Sequence, residues 1–173
     1  RSTTVIYYYW EVPGTNQNKI INSKFLNNTI VGQPGQSQGG IVIQNGSNNA
    51  VYNNIWYDNI ANTFVINATH DYQYADSNRR VEACNPPCDK DPELISGEAN
   101  GQANKGNPFV SYNSDPLLAN LRAKTQAGLD TSSLEPGNNL DMFGYQRVYG
   151  WERGAIVYKT HPSPPSNLRI LQK

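Results

Sequence analysis

The sequence predicts an all-β protein whose short strands wind as a solenoid. Three observations support this fold class. The run from Ile20 to Asn28 recurs about 31 positions later, from Val51 to Asn59. The apolar stretches are rich in β-branched and aromatic residues and are only three to five residues long, which favours strands. Asparagine, a residue that normally interrupts strands, recurs between these stretches at fixed offsets, as is typical of stacked repeat architectures.

The predicted strands follow one another from the N-terminus. Residues 3–12, TTVIYYYWEV, form the first, and a turn at residues 13–16 ends it. Further strands are expected at residues 19–25, 29–31, 40–43, 50–57 and 63–66, and a last one at residues 155–158. The N-terminal segments lack a 3.6-residue period, which argues against helices there. The stretch from Asp115 to Ala123 is the best candidate for a short helix.

The asparagine pairs Asn27-Asn28 and Asn53-Asn54 are expected at corners between strands. Asparagine tolerates left-handed backbone conformations, and its amide satisfies the backbone groups of turns. Amides stacked on one another can also hydrogen-bond along the stack. A β-sandwich is the alternative, but it would show longer alternating strands with a turn every 8–12 residues or so. The observed spacing therefore favours the solenoid.

Residues 1–160 are expected to form one unit, and residues 161–173 a Pro-rich linker or the start of a following module. Within the first unit, residues 71–110 show little strand pattern and are predicted to be a long loop excursion. Loops of that length inside a compact domain are usually functional.

Composition excludes several classes of partner. The chain has 173 residues, with 14 Lys and Arg against 14 Asp and Glu, so its formal net charge is +0. It has no basic excess to attract nucleic acid and no acidic excess to attract cationic partners. No apolar run reaches 18 residues, so no membrane span is expected. The ordered recurrence of Ile, Val, Tyr and Trp argues against disorder in the N-terminal region.

Cys84 and Cys88 enclose the short sequence Cys-Asn-Pro-Pro-Cys. A disulfide across this small loop is the preferred interpretation, and it would suit an oxidising compartment. A zinc site is the alternative, but it needs further ligands, and the histidines His70 and His161 are distant in sequence.

The C-terminal half contains motifs that resemble those of a known family. Ser114–Leu118 resembles a "DPLF" step, and Ala127–Asp130 loosely resembles an "IDAG" segment. Asp141–Arg147, followed by Arg153–Tyr158, resembles "DxxGxxR … DIGAxEY". Together with the asparagine-punctuated repeat, these motifs make most of residues 15–158 similar to secreted right-handed parallel β-helix proteins of the pectate-lyase-like kind. One departure is Arg153, which stands where that family usually has Asp.

The resemblance implies a right-handed parallel β-helix with few coils and a C-terminal closing segment, secreted or at the cell surface. It also implies that the chain is the C-terminal portion of something longer. Without neighbours, the predicted strand Val5–Val12 would be an exposed edge, and such edges recruit further strands. We therefore expect preceding coils of the same parent protein, or another chain, to pair there.

A polysaccharide or glycan surface is the expected partner. Trp10, Trp56 and Tyr57 are the candidate sugar platforms, since aromatic rings stack on the apolar faces of sugars. The alternative is that they belong to the core, because alternate strand residues point inward. His70 and Asp71 could form an acid–base pair, or His70 could be a hydrogen-bonded turn residue.

Two further clusters are candidate sites. Arg79 and Arg80 could neutralise a uronate carboxylate before proton abstraction in a lyase reaction, or they could be a solvated loop pair. Asp89, Asp91 and Glu93 alternate like the oxygen ligands of a Ca²⁺ cofactor, or they form a plain acidic turn. N-glycosylation sequons begin at Asn27, Asn45 and Asn67.

The sequence supports two functional hypotheses. The first is the C-terminal part of an extracellular carbohydrate-acting or carbohydrate-binding β-helix protein, similar to polysaccharide lyases or glycoside hydrolases. The second is a non-catalytic surface, adhesive or filament-forming module that assembles through its strand edges. Fold-level resemblance alone supports the first. A polysaccharide panel and electron microscopy of the purified chain would discriminate between them.

Overall fold

The computed structural model describes residues 6–8, 20–32, 41–43, 46–60, 65–66, 68–79, 91–113, 115, 117–124, 140–141, 143–144 and 153–154. This part of the chain is almost entirely β, which confirms the all-β expectation. Its strands are β1 (Ile6–Tyr8), β2 (Ile20–Ile21), β3 (Lys24–Leu26), β4 (Thr29–Val31), β5 (Ile41–Ile43), β6 (Gly46–Ser47), β7 (Ala50–Tyr52), β8 (Ile55–Tyr57), β9 (Val65–Ile66), β10 (Thr69–Asp71), β11 (Tyr74–Asp76), β12 (Gln102–Ala103), β13 (Phe109–Ser111) and β14 (Asn120–Ala123). Its one described helix, α1, spans Asp91–Leu94. None of the described helices is long and apolar enough to cross a bilayer.

Among the described strands, those that follow one another from β1 to β11 belong to different sheets. The described strands form four parallel sheets, in the orders β1-β5-β9, β2-β6, β3-β7-β10 and β4-β8-β11-β12, and β13 pairs with β14 in an antiparallel hairpin. Lys24 pairs with Ala50, and Ala50 pairs with Thr69. The chain therefore returns to the same sheet after each passage. We call residues 20–32, 46–60 and 68–79 the first, second and third strand segments.

The corners between strands have a five-residue rhythm. Left-handed backbone conformations occur at Asn22, Asn27, Asn48, Asn53, Asp58, Tyr72 and Ser77, so that every fifth residue of a segment turns the chain. Asparagine and aspartate tolerate this region well. Tyr72 does not, at a cost of about 1–2 kcal/mol. The Asp71 carboxylate offsets part of that cost by accepting a bond from the Tyr72 backbone nitrogen at 2.7 Å.

The register of the segments differs from the one expected from sequence. The sequence repeat aligns residues 20–28 with residues 51–59, but the first segment pairs with the second at an offset of 26 residues. The 31-residue alignment is wrong by one five-residue unit. Because each segment repeats its own strand-and-corner pattern, a shift by one unit still superimposes asparagines on asparagines.

The described core residues form two clusters on opposite sides of β8. Ile55 and Trp56 are adjacent in this strand, so their side chains point to opposite faces. The first cluster comprises Ile30, Ile41, Val51, Trp56, Ala75 and Leu94, and the second comprises Ile55, Tyr74, Phe109 and Ala123. Helix α1 closes the first cluster through Leu94, and the hairpin closes the second through Phe109.

Two expectations about elements are corrected. Residues 71–110 are not one long loop, because β11 pairs with β8, β12 pairs with β11, and α1 and β13 follow. Residues 80–90 lie outside the described part. The stretch expected to be a helix from Asp115 instead makes a turn, in which Asp115 Oδ1 accepts a bond from Leu117 N at 3.0 Å, and then forms β14. Pairing with β13 outweighs the local helical preference there.

Candidate functional site

An open groove of about 460 Å³ lies along the edge of the four-stranded parallel sheet. It is lined by Asp58, Asp76, Ser77, Asn78, Arg79, Asp91 and Asn104. Asn78 and Asp91 are each 1% exposed and form its floor. The other lining residues are half-buried or exposed and form its rim.

Three of the rim residues lie side by side because each is at the corner that follows a strand. Asp58 follows β8, Ser77 follows β11 and Asn104 follows β12, and all three have left-handed backbone conformations. These three strands are neighbours in one sheet, so the ends of adjacent strands lie about 4.8 Å apart. The groove therefore presents a row of polar side chains at strand spacing.

Asp58 is held by two donors. Its Oδ2 accepts a bond from the Tyr112 hydroxyl at 2.7 Å, and its Oδ1 lies 3.3 Å from Nη2 of Arg79. Burial raises the pKa of Tyr112, and the hydrogen bond to Asp58 raises it further, so this phenol stays a donor. The Arg79 charge is thus directed at Asp58, in an exposed ion pair that contributes little to stability.

Asp76 is held in a similar way on the neighbouring strand. Its Oδ2 accepts a bond from Gly106 N at 2.6 Å, and its Oδ1 accepts one from Ser77 Oγ at 2.7 Å. A carboxylate has about four acceptor positions. Asp58 and Asp76 therefore retain acceptor capacity toward a ligand in the groove while protein donors fix their orientation.

The floor of the groove contains Asp91, one of the three residues predicted to bind Ca²⁺. Asp91 Oδ1 accepts two bonds from Asn78, from its backbone nitrogen at 3.1 Å and from Nδ2 at 2.6 Å. Glu93 is exposed on α1, and Asp89 lies outside the described residues. Within the described part of the chain, no three His, Cys, Asp or Glu residues are grouped as metal ligands would be. The Asp91 carboxylate is engaged in the floor instead.

His70 and Asp71 have separate partners. His70 Nδ1 lies 2.6 Å from Glu98 Oε1. Asp71 accepts bonds from the backbone nitrogen and the Nδ2 of Asn100, at 2.8 and 2.9 Å. Burial alone would raise the pKa of Asp71, but the hydrogen bonds from Asn100 and Tyr72 outweigh it and lower that pKa. The side-chain hydrogen-bond partner of His70 is therefore Glu98.

The candidate sugar platforms are placed differently from one another. Trp56 is 0% exposed, and its Nε1 donates to Gln73 Oε1 at 2.9 Å, so it is a core residue beyond the reach of a glycan. Tyr57 is half-buried and makes edge-to-face contacts with Tyr112 and Phe109, with ring centroids 4.8 and 5.6 Å away. Trp10 lies outside the described residues.

Other predicted sites are only partly described. Arg80, Cys84 and Cys88 lie outside the described residues, as do Asn45 and Asn67 of two sequons. Asn27, the acceptor of the remaining sequon, is 6% exposed.

Arg153, the departure from the closing motif, has a defined position. It is 1% exposed, and it donates from Nε to Tyr72 O at 2.6 Å and from Nη2 to Asn100 O at 2.7 Å. The next residue, Gly154, donates its N–H to Asn53 O at 2.7 Å. An aspartate could not make these donations, which explains why arginine suits this position.

Sequence reasoning missed five residues that line the groove, Asp58, Asp76, Ser77, Asn78 and Asn104, and also Tyr112, which donates to Asp58. The five-residue spacing from Asn53 identifies Asp58 as a corner in retrospect. No sequence signal places Tyr112 beside Asp58, because 54 residues separate them.

Comparison with known proteins adds no relative: neither a protein-family model, nor a curated protein sequence, nor a solved structure matches this chain significantly.

Proposed function

We propose that this chain is part of an extracellular right-handed parallel β-helix protein that binds polysaccharide in the groove between Asp58 and Asn104. The parallel sheets support the β-helix, because consecutive described strands from β1 to β11 enter different sheets and the chain returns to each sheet in register. Asn54 and Asn78 support it further, as their side chains hydrogen-bond the preceding segment.

The observation that carries the binding proposal is the pair of oriented carboxylates at the rim. Asp58 and Asp76 are positioned by donors from Tyr112, Arg79, Ser77 and Gly106 N. Carboxylates held in this way accept charge-assisted hydrogen bonds from sugar hydroxyls. A row of polar groups at strand spacing suits a ligand that is itself a linear polymer.

The charge of the groove favours an uncharged polysaccharide over a polyuronate. Three aspartates and one arginine line it, and the arginine is paired with Asp58. A uronate carboxylate would meet like charges without a spare cation among the described lining residues. Each of the three aspartates is already hydrogen-bonded to another protein group. This arrangement suits binding, and we propose no catalytic step.

The test is calorimetric titration of the chain with neutral β-linked oligosaccharides and, in parallel, with oligogalacturonate. The expected result is binding of a neutral oligosaccharide that Asp76→Asn weakens about tenfold or more, the size of a lost charge-assisted hydrogen bond. Asp115→Asn, at an exposed turn outside the groove, is the matched control and should leave affinity unchanged. Absence of binding across the panel, or wild-type affinity in both Asp58→Asn and Asp76→Asn, would overturn the proposal.

A second candidate, assembly through strand edges, has its own supporting observation. Among the described strands, β3 and β4 each pair on one side only, with β7 and β8. Ile21 beside them is 52% exposed. A strand at the edge of a sheet can pair with a strand of another chain. Concentration-dependent oligomers in size-exclusion chromatography, with filaments in electron micrographs and no glycan binding, would favour this function.

A further inference from the structure

The connection from α1 to the corner after β12, residues 91–104, caps two ladders of polar side chains. We call it the cap segment. In each ladder, a side-chain oxygen accepts a bond from the backbone nitrogen of the preceding strand segment. Asn54 Oδ1 accepts from Asn28 N at 2.8 Å, and Asn78 Oδ1 accepts from Asn59 N at 3.1 Å.

The cap segment ends the Asn59–Asn78 ladder with one carboxylate, and a second carboxylate makes the same kind of bond to Gln73, the register neighbour of Asn54. Asp91 Oδ1 accepts from the backbone nitrogen of Asn78 at 3.1 Å, and Glu98 Oε2 accepts from that of Gln73 at 3.0 Å. These two acidic residues accept the bonds that an asparagine would accept if a further strand segment followed. The docking of the cap segment therefore depends on two buried carboxylates.

Glu98 has a titratable partner. Its side chain is 0% exposed, and its Oε1 lies 2.6 Å from Nδ1 of His70, whose side chain is 23% exposed. The packing around Glu98 is tight, because a Cβ on Gly101 would lie 2.6 Å from Glu98 Oε2. A carboxylate without solvent contact is costly unless a donor or cation compensates it.

The charged groups that face His70 are mostly acidic. Glu98 contacts it from the cap segment, and Asp71 lies next to it on β10. The guanidinium of Arg153 lies on the Asp71 side, where it helps to lower the Asp71 pKa. The neighbouring β7 presents Val51 opposite His70. The pKa of His70 is raised, because the hydrogen bond with Glu98 outweighs partial burial, with smaller contributions from the charges of Glu98 and Asp71.

The two ends of the cap segment reach the groove. Asp91 begins the segment in the floor, and Asn104 ends it at the rim. Between them, Gln102 N donates to Gln73 O and Asn104 N donates to Ala75 O, both at 2.9 Å. Release of Glu98 from its site would therefore loosen the strand β12 that carries one wall of the groove.

We propose that the His70–Glu98 contact is a pH-operated latch, which holds the cap segment and the groove wall in place at mildly acidic pH and loosens them in alkaline solution.

The direction follows from the protonation states. The protonated imidazole compensates the buried carboxylate, so the stabilising contribution is complete below the unfolded-state pKa of about 6.5. It is lost as the pH rises through the higher folded-state pKa. A neutral imidazole can still donate one hydrogen bond, so alkaline pH loosens the segment without unfolding the chain.

Amide hydrogen exchange, corrected for the intrinsic pH dependence of exchange, tests the latch between about pH 6 and pH 9. We expect protection of the Gln102 and Asn104 amides to fall across this range, while protection of Ala50 and Ile55 stays constant. His70→Gln keeps a donor but cannot titrate, and should make the cap amides insensitive to pH. His161→Gln removes the other histidine of the sequence and should behave as wild type.

The proposal is overturned if the wild-type cap amides show no fall in protection, or if His70→Gln shows the same fall. Should His70→Gln not fold, an NMR titration of the wild-type chain decides instead. The midpoint of the His70 ring shifts must then coincide with the midpoint of the Gln102 amide shifts, and different midpoints would overturn the latch. These readouts do not involve glycan, so they separate the latch from the proposed binding function.

Discussion

The Oδ1 atom of Asn78 accepts two hydrogen bonds from Asn59, one from its backbone nitrogen at 3.1 Å and one from Nδ2 at 2.9 Å. Asn78 donates in turn to Trp56 O at 2.9 Å and to Asp91. Both asparagines are almost fully buried. Their amides are therefore structural, and they join the second and third strand segments to the cap segment.

This network predicts a large effect of Asn78→Ala. The substitution deletes buried bonds to Asn59, Trp56 and Asp91, and we expect it to lower the free energy of unfolding by about 3 kcal/mol or more. Urea denaturation followed by circular dichroism measures the loss. The control is Asn48→Gly, which removes an exposed amide bonded to Asn22 at a position where glycine suits the backbone φ of 56°. It should change stability by about 0.5 kcal/mol or less. Equal losses in the two variants would contradict the buried ladder.

A side chain at position 154 would clash with its neighbours, so a substitution there tests how tightly the chain packs around Gly154. A Cβ there would lie 2.6 Å from Ile55 Cδ1 and 2.7 Å from Thr29 Oγ1. Gly154→Ala should therefore destabilise the fold beyond the 1–2 kcal/mol or so of left-handed strain. Gly144→Ala is the matched control, because its φ of 79° is close to the 82° of Gly154 and no atom lies within 4 Å of the added Cβ. Thermal melts should show a larger drop for Gly154→Ala, and equal drops would place Gly154 away from Ile55.

Trp56→Phe tests whether this side chain is a core residue or a sugar platform. The substitution removes the bond to Gln73 Oε1 and some buried volume, so we expect a loss of about 1–3 kcal/mol in unfolding free energy. Affinity for any bound oligosaccharide should not change in the folded variant, because Trp56 is 0% exposed. A loss of affinity without a loss of stability would contradict its burial.

Because of Tyr112, we expect the stability of the folded chain to depend on pH in alkaline solution. Burial and the hydrogen bond to Asp58 raise its pKa, so the neutral phenol is favoured in the folded state. The corresponding stability is complete below the unfolded-state pKa of about 10 and is lost as the pH rises toward the folded-state value. Tyrosinate absorbance of wild type minus Tyr112→Phe should show this phenol ionising above about pH 10. Asp58→Asn should lower the midpoint, and an unchanged midpoint would contradict the Tyr112–Asp58 contact.

The corner positions show how much of the fold was predictable. Asn27 and Asn53 were expected at corners, and both have left-handed backbone conformations. That prediction depends on the preference of asparagine itself, which acts within a few residues. The register was not predictable in the same way, because a shift by one five-residue unit preserves every local preference. Core contacts such as Trp56 with Ile30, its register partner, distinguish the registers, and they form only when the segments stack.

The candidate site was less predictable than the fold. Corner aspartates such as Asp58 look like ordinary turn residues in sequence, and only the stacking of β8 on β11 brings Asp58 close to Asp76. His70 was a candidate from sequence, but the expected partner was its neighbour Asp71. Adjacent strand residues point to opposite faces, so the nearest residue in sequence was a poor choice.

The sequence by itself determined the all-β character and the short strands, because β-branched runs and asparagine corners express their preferences locally. Only the tertiary structure decided which strand segments pair in which register, which carboxylates line the groove and which acidic residue His70 contacts. Glu98 lies 28 residues from His70, and Tyr112 lies 54 residues from Asp58. Partners at such separations are set by the path of the whole chain, because backbone pairing between distant strands and burial of the core act on every segment together.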